Sequence, residues 1–303
     1  MRAAFLGTPA AAIPSLASLT QVIDVVSVIT RPDRPRGRSG VSAAPPVKVA
    51  ALEWGFPVEQ PDTAAELAAV LGEAAADVGV VVAYGRLLDG PALASTRVGF
   101  VNVHFSLLPH WRGAAPVERS IMAGDSITGV SLMRLDEGLD TGPIIAVDET
   151  DIAEDDTGGS LTARLADLGG QLLADHLPDY LAGSLLPADQ IDTAATYAPR
   201  LSTEEARLDP DLPAAVLART VRALHPRPGA WVTLEGARLG VLRAADVPRG
   251  PDAGTIERLD GLPVLGTAEG GLALLEVVAA GRRPQPGSAW MHGRRGSPAI
   301  VDR

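Results

Sequence analysis

Asn102 and His104 stand two residues apart in an apolar run, Phe100–Phe105, and a turn sequence follows at once, Ser106-Leu107-Leu108-Pro109. In an extended strand residues i and i+2 share a face, so the amide and the imidazole project together while Val103 points away. A hydrogen-bonded amide beside a core imidazole would explain the pair equally well by itself. Further along, "RLDEGLDTGPII" (Arg134–Ile145) carries Asp136, Glu137 and Asp140 in a glycine-punctuated loop after another apolar run. Carboxylates in such loops often shape turns, yet this loop could also bring one over the same edge. An amide, an imidazole and a carboxylate without a nucleophile suit acyl transfer between two substrates. The acceptor then supplies the nucleophile. Asn102 and a protonated His104 would donate to the developing oxyanion, each donor being worth roughly 3–4 kcal/mol in the transition state. A carboxylate at Asp140 would favour the charged ring and help take the proton from an attacking amine. Free α-amino groups have a pKa of about 8 and are partly neutral already, so no strong base is needed.

Other chemistries fit these residues less well. Asn is a poor zinc ligand and there is one His, not two at ligand spacing, so no metal is expected. Ser106 lacks the G-x-S-x-G elbow of a hydrolase nucleophile. Gly7-Thr8-Pro9 runs into Ala10, Ala11 and Ala12, without the further glycines of a dinucleotide fingerprint, which argues against NAD.

The elements that must position these groups are legible as patterns. "RAAFLG" (Arg2–Gly7), "VVSVIT" (Val25–Thr30) and "VGVVVAYG" (Val78–Gly85) read as strands buried on both faces. Helix-like segments, Ile13–Leu19 and Ala64–Ala75, separate them, and "FVNVHF" and "GVSLMRL" (Gly129–Leu135) follow. This alternation predicts an α/β domain with a mainly parallel sheet. Such sheets bind ligands beyond the carboxyl ends of their strands, which is where Asn102 and His104 fall. Leu161, Leu165, Leu168 and Leu172 form one helical stripe, with Ser160 as its expected N-cap. Periodicity is lost over Leu185–Pro210, which reads as a linker. After a helix at Leu212–Leu224, short apolar runs broken by Gly pairs predict a small all-β unit, a barrel.

The chain has 303 residues, 46% hydrophobic, with no cysteine and a net charge of −11. The size suggests two domains, and the lack of cysteine excludes disulfides and thiolate chemistry. No long uncharged apolar run or signal-peptide pattern is present, so a cytoplasmic chain with no membrane association is expected. Residues 1–203 carry 13 basic and 25 acidic side chains, residues 204–303 carry 13 and 12. The acidity argues against bulk nucleic-acid affinity, although the second portion is close to neutral.

Longer stretches carry a resemblance. "NVHFSLLPHWRGAAP" (Asn102–Pro116) followed by "DEGLDTGPII" resembles the 10-formyltetrahydrofolate-dependent formyltransferases. "FLGTP" (Phe5–Pro9), "RPDRPRGR" (Arg31–Arg38), "PPVKVAA" (Pro45–Ala51), "VVVAYGRLL" (Val80–Leu88), "WRGAAPVERSIMAGD" (Trp111–Asp125) and "YAPRLSTEEARLD" (Tyr197–Asp209) are similar to the branch of that family acting on initiator methionyl-tRNA. The resemblance implies a Rossmann-like formyltransferase domain over 1–187, a linker over 188–206 and an OB-like β-barrel that binds tRNA over 207–303. It implies Asn102, His104 and Asp140 as the catalytic trio. It also implies Ser106, Leu107, Leu108 and Pro109, with Gly85, Arg86, Leu87 and Leu88, as the folate site. Arg34, Arg36, Arg38 and Arg200 would meet the tRNA. The formyl donor would be 10-formyltetrahydrofolate, with no metal, and the enzyme a monomer. The same chemistry on a small amine, such as a glycinamide ribonucleotide or amino sugar, and a non-catalytic RNA-binding role are the alternatives. Phe105 departs from the small residue usual in the family, which would shift the turn or narrow the pocket.

Overall fold

The computed structural model describes residues 1–35, 42–294 and 298–302. The chain divides into two compact units, the first of residues 1–116, 127–151 and 162–198, the second of residues 117–126, 152–161 and 199–303.

The first unit is built on a seven-stranded sheet. Its elements in chain order are β1 (Arg2–Gly7), α1 (Ile13–Val22), β2 (Asp24–Ile29), α2 (Pro46–Glu53), β3 (Val58–Glu59), α3 (Ala64–Ala74), β4 (Val78–Val82), α4 (Gly90–Leu93) and β5 (Gly99–His104). After α5 (Pro116–Ala123), which groups with the second unit, come β6 (Ile127–Arg134), β7 (Ile144–Asp151) and α6 (Gly158–Ala182). The strand order is β7-β6-β5-β4-β1-β2-β3. The five strands from β5 to β3 pair in parallel, and β6 and β7 are antiparallel additions. The expected mainly parallel sheet is therefore present. Every residue of β4 is buried, as a central strand with helices on both faces requires. One face carries Ala4, Leu6, Ile29 and Phe100 against Leu67 and Leu71 of α3. The other meets α6: a Cβ added at Gly169 would press on Val103, and one at Gly170 on Pro14 of α1. Gly79 leaves room for the Phe100 ring, which a Cβ there would overlap.

Two local readings change. The long helix begins at Gly158, not Ser160, and the Ser160 N–H donates to Thr157 Oγ1 at 3.1 Å. Thr157 thus satisfies the helix start. Phe105, half-buried, lies with Val103 beside Gly169 of α6, on the face opposite Asn102 and His104.

The second unit contains α7 (Ala214–Ala223), β8 (Ala230–Leu234), β9 (Ala237–Val247), β10 (Thr255–Leu259), β11 (Leu262–Gly266), β12 (Gly271–Ala279), α8 (Gly287–Gly293) and β13 (Ala299–Ile300). The antiparallel strand order is β8-β9-β12-β11-β10-β13. A bridge between Leu234 and Val301 brings the last strand back to the first, curling the sheet into the expected small barrel. In β8 buried and half-buried residues alternate, the pattern of a strand with one face inward. Leu217 and Val221 of α7, with Leu224 just after it, join Val232, Leu239, Ile256 and Leu274 in the barrel's core.

Candidate active site

β5 delivers Asn102 and His104 to the carboxyl end of the sheet, continuing the face of Phe100. Both are nearly buried, at 9% and 6% exposure. The Asn102 amide makes no hydrogen bond among the described residues, which leaves its N–H groups for a ligand. His104 lies between two oxygens. Its Nε2 is 2.9 Å from the Trp111 carbonyl; a carbonyl only accepts, so this nitrogen carries a hydrogen. Its Nδ1 is 3.8 Å from Asp140 Oδ2, within ion-pair range and beyond a hydrogen bond. Asp140 Oδ2 in turn accepts from the Gly113 N–H at 2.8 Å. Trp111 and Asp140 both have left-handed backbone, φ +60° and +53°. Non-glycine residues adopt this conformation at a cost, and it concentrates where function over-determines the backbone. The other two carboxylates of the loop do other things. Asp136 Oδ1 accepts from the Gly138 N–H and the Thr141 hydroxyl, closing a turn, and Glu137 lies beside Gly90.

The turn after β5 is internally tied. Ser106 is fully buried and its hydroxyl donates to the His110 carbonyl at 2.6 Å. Ser131 Oγ donates to the Ser106 carbonyl at 2.7 Å and accepts from the Leu108 N–H at 3.0 Å. Leu108 is buried, and Leu107 and Pro109 are half-buried. Beyond β4, Gly85 has φ +82° and Leu87 is exposed, while Leu88 packs beside the α3 core. Arg86 donates to the Asp62 carbonyl. Burial raises the Tyr84 phenol above its ordinary range. A hollow of about 500 Å³ has Leu93, Phe100, Asp136 and Glu137 among its walls and none of Gly85–Leu88. Arg34 and Arg200 are exposed. Arg36 and Arg38 lie outside the described residues.

Sequence reasoning missed several contributors. The Trp111 carbonyl has no side-chain signature. Gln190 touches the Asp140 loop and Arg112 holds Gln190, and only the position of Arg112 inside the Trp111–Asp125 motif hinted at it. A second hollow, of about 560 Å³, sits on the barrel, with Arg282, Arg283, Gln285, Trp290 and Arg294 among its walls. Arg294 is held by Glu235 at 2.6 Å. No acidic residue occurs from 277 to 301, a signal that was available in the sequence.

Sheet and site define a class: an α/β domain whose sheet carries an amide and an imidazole on one strand, with a carboxylate 3.8 Å from the ring, a set of groups suited to acyl transfer. Comparison with known proteins specifies it. The profile of the family described as Formyl transferase matches residues 1–177, and that of Formyl transferase, C-terminal domain, matches residues 200–295. The methionyl-tRNA formyltransferase of Halorhodospira halophila is 46% identical over 299 residues, covering 97% of this chain and 96% of that relative. The methionyl-tRNA formyltransferase of Myxococcus xanthus is 44% identical, covering 98% and 96%. Among solved structures, an N-formyltransferase from Helicobacter canadensis, in complex with folinic acid and dTDP-3-aminofucose, is similar in fold. Its TM-score is 0.67 at 16% identity, covering 90% of this chain and 98% of that one. The chain belongs to the formyl transferase family.

Proposed function

We propose that this enzyme transfers the formyl group of 10-formyltetrahydrofolate to the α-amino group of methionyl initiator tRNA. The observation that carries the chemistry is the bracketing of His104 by Trp111 and Asp140, beside the unpartnered Asn102 amide. The full-length relatives of this name, 40–46% identical, support the choice of acceptor. The acceptor amine forms a bond to the formyl carbon, the bond from that carbon to folate N10 breaks, and the proton lost by the amine ends on N10. During attack the formyl oxygen gains negative charge. Asn102 and the His104 Nε2–H donate to it; the Trp111 carbonyl competes for the same hydrogen and loses, because bonds to a charged acceptor are about twice as strong. Asp140, 3.8 Å from Nδ1 of the same ring, helps the proton across.

Residues 1–187 carry this chemistry and residues 207–303 grip the RNA. In the barrel, the hollow walled by Arg282, Arg283 and Trp290 combines cations for phosphates with a ring for stacking, the combination that single-stranded RNA takes. The folate lies against Ser106–Pro109 and Gly85–Leu88, and Arg34, Arg36, Arg38 and Arg200 meet the tRNA. Among the described residues no helix is long and apolar enough to cross a membrane, consistent with work in the cytoplasm.

The test supplies the formyl-folate donor with charged initiator tRNA or with a small amine and follows formyl transfer by mass. Transfer to the tRNA, reduced at least about 100-fold by His104→Ala, is the expected result. Unchanged transfer in that variant would remove the mechanism, and transfer to the small amine alone would remove the tRNA acceptor.

A further inference from the structure

Gln190 lies in the stretch between the two matched regions, residues 178–199, which belongs to neither family profile. Its side-chain amide nevertheless reaches the Asp140 loop. Nε2 donates to the Asp140 carbonyl at 2.9 Å and to the Gly142 carbonyl at 2.7 Å. Oε1 accepts from Arg112 Nε at 3.0 Å and Nη2 at 2.8 Å. Two acceptors on one side and a guanidinium on the other leave the amide a single orientation. Arg112 is 2% exposed, and its Nη2 also reaches Asp192 of the same stretch at 2.8 Å. The next residue, Gly113, donates its N–H to the Asp140 carboxylate. Asp140 is thus held twice, by its carbonyl through Gln190 and by its carboxylate through Gly113, and Arg112 joins the two holds.

The rest of the stretch is sewn to the same loops. Ala188 and Ile144 exchange N–H···O bonds of 2.8 Å in both directions. Trp111 N–H donates to Thr196 Oγ1 at 2.9 Å, and Arg112 N–H donates to the Thr196 carbonyl at 2.9 Å. Ala114 N–H donates to the Ala198 carbonyl at 2.9 Å. Gly113 has φ +125°, and a Cβ there would stand 2.7 Å from the Ala198 carbonyl oxygen, so only glycine lets the stretch pass this close. A buried guanidinium is costly to desolvate, and hydrophobic packing would often serve stability as well. Its presence here points to placement of the loop.

We propose that residues 188–198 form a strap that sets the catalytic geometry, with Gln190 and Arg112 as positioning residues that fix Asp140 against His104. This rests on Asp140 having the catalytic role argued above. Gln190→Glu is the discriminating variant. It keeps the acceptor for Arg112 and replaces two donors by an oxygen facing two carbonyls. The expected result is a 10- to 100-fold lower kcat, the scale of a misplaced group, with KM for donor and methionyl-tRNA within about threefold. Combined with Asp140→Asn it should cause little further loss, because both changes act through one carboxylate.

Thr196→Val cuts the tie to Trp111 without altering charge and should lower kcat in the same sense. This second variant carries the test if Gln190→Glu does not fold, as judged by circular dichroism and melting. Wild-type kcat in whichever folded variant is read, or losses that multiply with Asp140→Asn, would overturn the strap. Full activity of Asp140→Asn alone would instead overturn the role of Asp140, so the two failures are distinguishable.

Discussion

At the scale of single residues the proposed site sets Asn102 and His104 on one face of one strand, with Asp140 3.8 Å from the imidazole. Asn102 is the simplest member to test, because its amide makes no hydrogen bond among the described residues. Asn102→Ala should lower kcat about 10²- to 10³-fold, the cost of losing one oxyanion donor, while KM for both substrates stays within a few-fold. Steady-state kinetics with formylation scored by mass would check this, and a change confined to KM would assign Asn102 to ground-state binding. Asp140 is distinguished from Asp136 and Glu137 by what each touches, since Asp136 is spent on its own turn. Ser106 is likewise committed to the turn by its bond to His110, so the unmodified enzyme incubated with the formyl donor should show no covalent acyl-enzyme by mass.

At the scale of elements, close approaches decide what is tolerated. Gly79 on β4 faces the Phe100 ring of β5, and Gly79→Ala places a methyl inside it. Overpacking of this kind should cost about 1–3 kcal/mol, read as a lower urea midpoint at constant m-value. In the second unit α5 is tied to the segment before α7. Arg119 donates to Glu205 Oε1 at 2.6 Å and to the Pro199 carbonyl, and the Ser202 N–H donates to Glu205 Oε2 at 2.8 Å. Arg119 and then Ser202 hold the Glu205 carboxyl down at about 2, against an ordinary value of 4.5. A depressed acid stabilises the fold above its unfolded value and loses that contribution as pH falls. Glu205→Gln should therefore lower stability by about 1 kcal/mol or less at pH 7, the range of partly exposed pairs. The difference from wild type should shrink between about pH 4.5 and 2. Melts at stepped pH would show it, and a difference constant with pH would refute it.

At the scale of the whole molecule, charge is unevenly spread. A net charge of −11 argues against general affinity for RNA. The stretch from 277 to 301 holds four arginines and no acid, and three of those arginines wall the hollow on the barrel. If Arg282 and Arg283 meet phosphates, the double change to Ala should weaken tRNA binding. It should also reduce the slope of log K against log salt by about two, one per lost contact. KM for the folate donor should not change. Filter binding across a salt series measures this, and an unaltered slope would move the RNA elsewhere.

Much of this was legible in one dimension because local sterics and burial write periodic patterns. Buried strands such as Val78–Val82, the helical leucine stripe and the Gly-broken strands of the barrel each followed from nearest neighbours. So did the shared face of Asn102 and His104, two residues apart on one strand. The approach of Asp140 to His104 and Gly113, the Trp111 carbonyl over the imidazole, the turning of Phe105 toward α6 and the hold of Gln190 on a loop some 50 residues away were decided only by the tertiary structure. Such contacts join backbone groups or segments distant in sequence. A backbone carbonyl looks the same in every residue, and an aperiodic stretch carries no sign of the surface it will be laid against.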